Sequence, residues 1–153
     1  MLKRLFVSAA VAAGCLASAL SAQAEPEFTF LLEHVLGPKA TSQTQFLEPW
    51  AKRIEEQSDG RIKIEIYPAM SLGGKPTELY NHIRDGGVDM GWSALGYTPG
   101  VYPRSEVFEL PFVHTGSAAV TNQAIQDIYA EYLSQDFGDI KPLLIHVHTG
   151  QAL

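Results

Sequence analysis

The side chains best suited to holding a metal gather near the end of the sequence, where His146-Val147-His148 sets two imidazoles two residues apart. On a strand, that spacing turns both rings to one side, so they could share a zinc ion with His34 as a third ligand. No carboxylate or cysteine lies near them in sequence. Ordinary strand histidines with hydrogen-bonded rings account for the same pattern, as they do for His82 and His114. A second candidate, Gly91-Trp92-Ser93-Ala94-Leu95, approaches a nucleophile elbow. It lacks the second glycine, and Tyr97-Thr98-Pro99-Gly100 stands where the elbow needs a helix, so a secreted serine hydrolase built on Ser93 has little support. A third, Gly73-Gly74-Lys75-Pro76-Thr77, matches neither a P-loop nor a dinucleotide fingerprint, because a proline separates the lysine from the threonine. What is left there is a glycine pair ahead of a helix. Its free N–H groups could hold a carboxylate, or it is a flexible turn before a proline start.

The elements that must position these groups follow from periodicity. Residues 28–32 form a short run of strand formers stopped by Gly37-Pro38. Thr41 or Ser42 can cap a helix reaching about Gln57, with Phe46, Leu47, Trp50 and Ile54 on one face and Pro49 as a kink or late start. Ile62, Ile64 and Ile66 alternate with Lys63, Glu65 and Tyr67 in the clearest strand. Pro76 suits the first turn of a helix ending at Asp85-Gly86-Gly87, and residues 88–92 make a third strand. Trp92, Ser93 and Tyr97 then sit at a strand's carboxyl end, where open α/β sheets bind ligands. Trp92 and Tyr97 read equally as pocket wall or as core.

Residues 96–104 read as a loop, and 107–113 as an edge or irregular strand because of Pro111. Ser117 can cap a helix bearing Ile125, Ile128, Tyr129, Tyr132 and Leu133, and residues 142–148 close the pattern as a strand. This alternation predicts an α/β unit with a mainly parallel sheet. The sequence stops five residues after His148. No helix is left to cover the last strand, which points to an incomplete sequence.

Export is written into the first residues. Lys3 and Arg4 precede a charge-free apolar run over 5–20, and Ala22-Gln23-Ala24 fits signal peptidase. This makes 1–24 a signal peptide cleaved after Ala24 and 25–153 the mature domain. Ala13-Gly14-Cys15 offers a competing lipoprotein reading, although Ala12 stands where a larger aliphatic is expected. Cleavage after Ala24 removes the only cysteine, so a core rather than a disulfide must stabilise the fold. The net charge of −6 becomes −8 once Lys3 and Arg4 are lost. Nucleic acid is a poor partner for that charge, and an acidic ligand needs local donors.

Four motifs stand in one register: 59–68 (Asp59-Gly60-Arg61 through Tyr67-Pro68), Leu72-Gly73-Gly74, Arg84-Asp85-Gly86-Gly87-Val88-Asp89-Met90, and Pro103 with Val107-Phe108-Glu109-Leu110-Pro111-Phe112. Together they resemble TRAP-type solute-binding proteins from about Phe28 to Gly150. The resemblance implies a periplasmic-binding-protein-like lobe, a mainly parallel sheet flanked by helices, truncated before the second lobe of a two-lobed clamshell. It implies capture of a small organic acid in the periplasm for an integral-membrane TRAP permease of two kinds of subunit. It implies no enzyme activity and no cofactor. Gly96-Tyr97-Thr98-Pro99-Gly100 and His146-x-His148-x-Gly150 look like members taking 2-oxo or 2-hydroxy monocarboxylates or related acids. By position, the resemblance places Glu33, His34, Ser42, Trp92, Ser93, Ala94, Tyr97, His148, Thr149 and Gly150 at the cleft, beside Gly74 at its helix start. The family's carboxylate-clamping arginine follows the strand that here ends near His148, where this sequence has Gln151-Ala152-Leu153. Arg104 is a substitute that the family pattern does not assign.

Overall fold

The computed structural model describes residues 25–113 and 117–148. The expected signal peptide and cleavage site after Ala24, and Cys15, His114, Thr149 and Gly150, lie outside the described residues. Among the described residues no helix is long and apolar enough to cross a membrane.

Three parallel strands form the sheet in the order β2-β1-β3. Strand β1 (Phe28–His34) and strand β2 (Ile62–Tyr67) pair from Phe28↔Ile62 to Glu33↔Tyr67. Strand β3 (Met90–Trp92) pairs on the other side of β1, with Glu33 opposite Gly91 and His34 opposite Trp92. The alternating isoleucines of β2 serve this pleat as expected. Asp89 extends the β3 junction: its backbone N–H donates to the Leu31 carbonyl and its carboxylate accepts from the Leu31 N–H.

Helices cover both faces, so the end of β1 is buried on both sides, from Leu32 to the polar Glu33 and His34. Helix α1 (Glu48–Gln57) follows a π-type turn over Gln43–Leu47. Thr41 and Ser42 are already helical, and Ser42 makes no side-chain cap. The Glu48 N–H bonds the Gln43 carbonyl, one residue beyond α-helical reach. This wide turn stands directly before Pro49, whose ring and missing N–H disrupt the regular ladder. On the other face lies helix α2 (Leu79–Arg84), entered through a 3₁₀ turn begun by Pro76. Because adjacent strand residues point to opposite faces, His34 reaches Gln43 on the α1 side while Glu33 reaches His82 on the α2 side.

Gly91 is required where α2 crosses β3. A Cβ there would lie 2.5 Å from Ile83 Cδ1 and 3.1 Å from Leu79 Cγ. The Ile83 tip can swing away, but Leu79 is 1% exposed and has nowhere to go. Gly91→Ala is therefore expected to cost about 1–3 kcal/mol through overpacking. A urea midpoint equal to that of the wild type would show that α2 lifts off the sheet freely.

Helix α3 (Ala118–Ile128) is capped by the Ser117 hydroxyl, which accepts from the Ala119 N–H, as the sequence indicates. It continues through a π-type turn, Tyr129–Leu133, and a 3₁₀ turn, Ser134–Phe137. The wide turn shifts the face, so Leu133 is buried while Tyr132 is 54% exposed, contrary to the single stripe expected. Ile125, Leu133, Phe137, Tyr102 and Ile145 make a second core. Burial, then the neighbouring Tyr80, push the Tyr102 phenol up to about 12, so it packs there uncharged.

Two expected strands are absent. Ser105–Glu109 is a 3₁₀ turn, not the start of an edge strand. The Glu106 carboxylate accepts from the Gly100 and Tyr102 N–H groups, winding this segment on itself. Residues 142–148 form no strand and join no sheet. Their backbone partners are side chains of α3: Asn122 both donates to the Val147 carbonyl and accepts from its N–H, and Gln126 donates to the Ile145 carbonyl.

Candidate functional site

A cavity of about 840 Å³ opens at the carboxyl ends of β1 and β3, the place where open α/β sheets bind ligands. One wall is the chain entering the first helix, with Leu36, Thr41, Ser42, Gln45 and Phe46. Facing it are Ala119, Asn122, Gln123 and Gln126 of α3, then Leu144, His146 and His148. Trp92, the last residue of β3, joins the two walls. The volume lies within the ~300–1,000 Å³ usual for small-molecule sites, and the mixture of aromatic, aliphatic and neutral polar groups is also typical.

Trp92 is the best-fixed member of this lining. Its Nε1 lies 3.1 Å from His146 Nε2, and the two rings are within 13° of coplanar at 5.9 Å. From behind, His34 meets it edge-on at 6.2 Å. His34 is fully buried; its Nδ1 accepts from the Leu36 N–H, so its proton sits on Nε2 and is donated to Gln43 Oε1. The Gln43 amide passes the chain on to Glu48 Oε1 at 2.8 Å.

Of the residues the sequence nominated, Ser42, Trp92 and His148 line the cavity, and His34 supports Trp92 from beneath. Glu33 turns to the other side of the sheet. It is fully buried there, accepting from the Leu72 N–H at 2.9 Å and pairing with His82 at 3.4 Å. Gly74 belongs to that side too, since a Cβ on it would press on His82 at 2.6 Å. The neighbouring Lys75 N–H, free in the sequence reading, is taken by the Glu78 carboxylate. Ser93, Ala94 and Tyr97 follow Trp92 as exposed residues outside the cavity lining. The Ser93 hydroxyl donates to the Ala94 carbonyl at 3.4 Å, and the next turn, Leu95–Tyr97, is 3₁₀, so the elbow geometry is not built.

The zinc reading finds no support. His34 has both ring nitrogens engaged, and His146 Nε2 accepts from the indole. Among the described residues no group of three suitable ligands comes together. Arg104, the available cation, is held by Asp136 at 3.3 Å and is absent from the lining.

Sequence reasoning missed Phe46, Gln45 and the α3 residues. Ala119, Asn122, Gln123 and Gln126 share one helical stripe opposite Ile125 and Ile128. That polar stripe was a usable signal, though a solvated face looks identical.

Known proteins place this arrangement. The family model of the bacterial extracellular solute-binding proteins, family 7, matches residues 32–144. The outer membrane transporter protein TsaT of Comamonas testosteroni is 28% identical over 148 residues, 95% of this chain and 41% of that protein. A marine metagenome TRAP solute-binding protein specific for aromatic acid ligands, solved with 3-hydroxybenzoate, is 42% identical. It superposes with a TM-score of 0.73 over 78% of this chain and 37% of its own. A TRAP solute-binding protein from Rhodoferax ferrireducens, solved with copurified benzoate, is 38% identical with a TM-score of 0.74 over the same shares, 78% and 37%. The chain thus spans about two fifths or less of the length of these relatives. Its mainly parallel sheet flanked by helices is the lobe architecture of these TRAP proteins, and the chain belongs to the bacterial extracellular solute-binding proteins, family 7.

Proposed function

We propose that this protein captures a small aromatic carboxylate in the periplasm and delivers it to a TRAP-type permease in the membrane. The observation behind this reading is the cavity itself. Phe46 and Trp92 offer aromatic surface, Leu36 and Leu144 aliphatic surface, and no lysine, arginine, aspartate or glutamate stands among them. An aromatic ring stacks well on such walls, while a small aliphatic diacid leaves them unfilled. The metagenome relative is specific for aromatic acids and the Rhodoferax relative copurified with benzoate, which supports the same class. The expectation of a 2-oxo or 2-hydroxy monocarboxylate or a related acid is compatible with this class, since mandelate is an aromatic 2-hydroxy acid.

Calorimetry on the two-lobed protein that this reading implies, purified from the periplasm, tests it, with benzoate, 3-hydroxybenzoate, mandelate, succinate and pyruvate. The aromatic acids should bind at micromolar or tighter, at least ~100-fold better than succinate and pyruvate, a gap of about 2.7 kcal/mol. Equal or tighter binding of succinate overturns the aromatic class, and no binding of any acid overturns the whole reading. Residues 25–153 expressed alone serve as the control and should reach only millimolar affinity. Thr41, Gln45, Gln123 and Leu144 are exposed, and solvated neutral hydrogen bonds add only about 1 kcal/mol each against an association cost of about 4 kcal/mol or more.

A further inference from the structure

An indole N–H can only donate. Since Trp92 Nε1 lies 3.1 Å from His146 Nε2, that nitrogen accepts, and the neutral imidazole must bear its proton on Nδ1. Among the described residues no group bonds this Nδ1, and none of their buried side-chain nitrogens is left without a partner. The Nδ1–H is therefore accessible, on a side chain that lines the cavity.

Its position is fixed from both sides. Asn122 Oδ1 accepts from the Val147 N–H at 2.6 Å and Asn122 Nδ2 donates to the Val147 carbonyl at 3.0 Å. Gln126 Nε2 donates to the Ile145 carbonyl at 2.8 Å. The residues flanking His146 are thus pinned to α3, while its ring plane is held against Trp92, which His34 braces in turn. Among the other polar groups of the lining, the Ser42 and Thr41 hydroxyls rotate and can donate or accept, and the Gln45 amide can turn over. Gln123 Nε2 donates to Asp127 Oδ1 at 2.8 Å, and Asn122 and Gln126 bind backbone. No lysine or arginine lines the cavity among the described residues.

We propose that His146 is a specificity-determining residue whose Nδ1–H, set by Trp92, donates a hydrogen bond to an acceptor oxygen of the bound aromatic acid. This rests on the aromatic-acid reading of the cavity. A donor that cannot reverse its sense rewards a carboxylate or carbonyl oxygen and penalises a ligand N–H at the same point. A hydrogen bond to a charged oxygen is stronger than one between neutral groups, so the loss on removing it should be visible in affinity.

The test uses periplasm-purified protein with benzoate as the probe. An asparagine amide reaches about the place of Nδ1 and a glutamine amide that of Nε2. His146→Gln should weaken benzoate binding about 10-fold or more, while His146→Asn should stay within about 3-fold of the wild type. Melting temperatures establish that each variant is folded. Long-range ¹H–¹⁵N NMR of the wild type should show the His146 proton on Nδ1, a readout that needs no variant. Wild-type affinity in folded His146→Gln, or a proton on Nε2, overturns the proposal while the aromatic-acid reading stands. Failure of the wild type itself to bind benzoate brings down the aromatic-acid reading, and this proposal with it.

Discussion

Asp136→Ala is expected to remove about 3–5 kcal/mol of stability, a large part of the ~5–15 kcal/mol that a domain of this size possesses. The carboxylate is fully buried at its side chain and works as a remote cap. Its Oδ2 accepts from the Arg104 N–H at 2.9 Å, the Ser105 N–H at 2.8 Å and the Ser105 hydroxyl at 3.0 Å, while Oδ1 takes the Arg104 guanidinium at 3.3 Å. It thereby closes the start of the 3₁₀ turn Ser105–Glu109 from a different part of the chain. Ser105 is fully buried, so truncation strands two donors away from water, at about 1–3 kcal/mol each. The next residue, Phe137, stacks on Tyr102 at 5.0 Å, and that contact would loosen with it. A fall in urea midpoint with an unchanged slope is the expected result. An unchanged midpoint would mean that water reaches Ser105 as soon as the carboxylate leaves.

The same residue makes a prediction about acid. Burial pushes the Asp136 carboxyl up, but the bonds from Ser105 and Arg104 outweigh it and hold the pKa below the ordinary aspartate value. A depressed folded pKa gives stability that is complete above the unfolded pKa and is lost as pH falls through the folded one. The stability gap between the wild type and the non-titrating Asp136→Asn should thus be constant above about pH 5 and shrink below about pH 4.

What could be read from sequence was what local pattern alone determines. The Ile62, Ile64, Ile66 alternation defines β2 because a half-buried strand has no other way to look, and Pro76 and Ser117 act at helix starts as their chemistry dictates. The failures are places where a distant partner decides. Residues 142–148 have a strand's composition, but a strand also needs a neighbouring strand. Here Asn122 and Gln126 supply the backbone partners instead, and nothing in the run itself announces them. Arg104 looked like an available cation because Asp136, which holds it, lies 32 residues away. In the cavity, Trp92 was legible from its place at a strand's end. His146 was noticed for the wrong chemistry, since its spacing to His148 suggested a metal. The indole that sets its proton is 54 residues distant.

Ile125→Ala is expected to cost about 3–4 kcal/mol, within the ~2–5 kcal/mol span for emptying a buried isoleucine site. Ile125 has no exposed surface and lies at the centre of the second core, among Tyr102, Leu133, Phe137 and Ile145. Those neighbours come from three separate stretches of chain, so they cannot collapse together onto the void without moving backbone. Aromatic rings such as Tyr102 and Phe137, already stacked on each other, are poor at filling a gap of three carbons. The effect should also travel to the cavity. Asn122 and Gln126 stand on the same helix as Ile125, and they hold the segment containing His146 through Val147 and Ile145. A shift of α3 toward the void loosens both clamps, so benzoate affinity should fall along with stability. Ile125→Val separates the two effects: losing one methylene should cost only about 0.5–1.5 kcal/mol and leave the helix, the clamps and the affinity in place. Chemical unfolding of the three proteins, read alongside calorimetry, gives the ordering. A loss below about 1 kcal/mol for Ile125→Ala would show that this core is loosely packed, and that α3 is held chiefly by its polar contacts to residues 145–147.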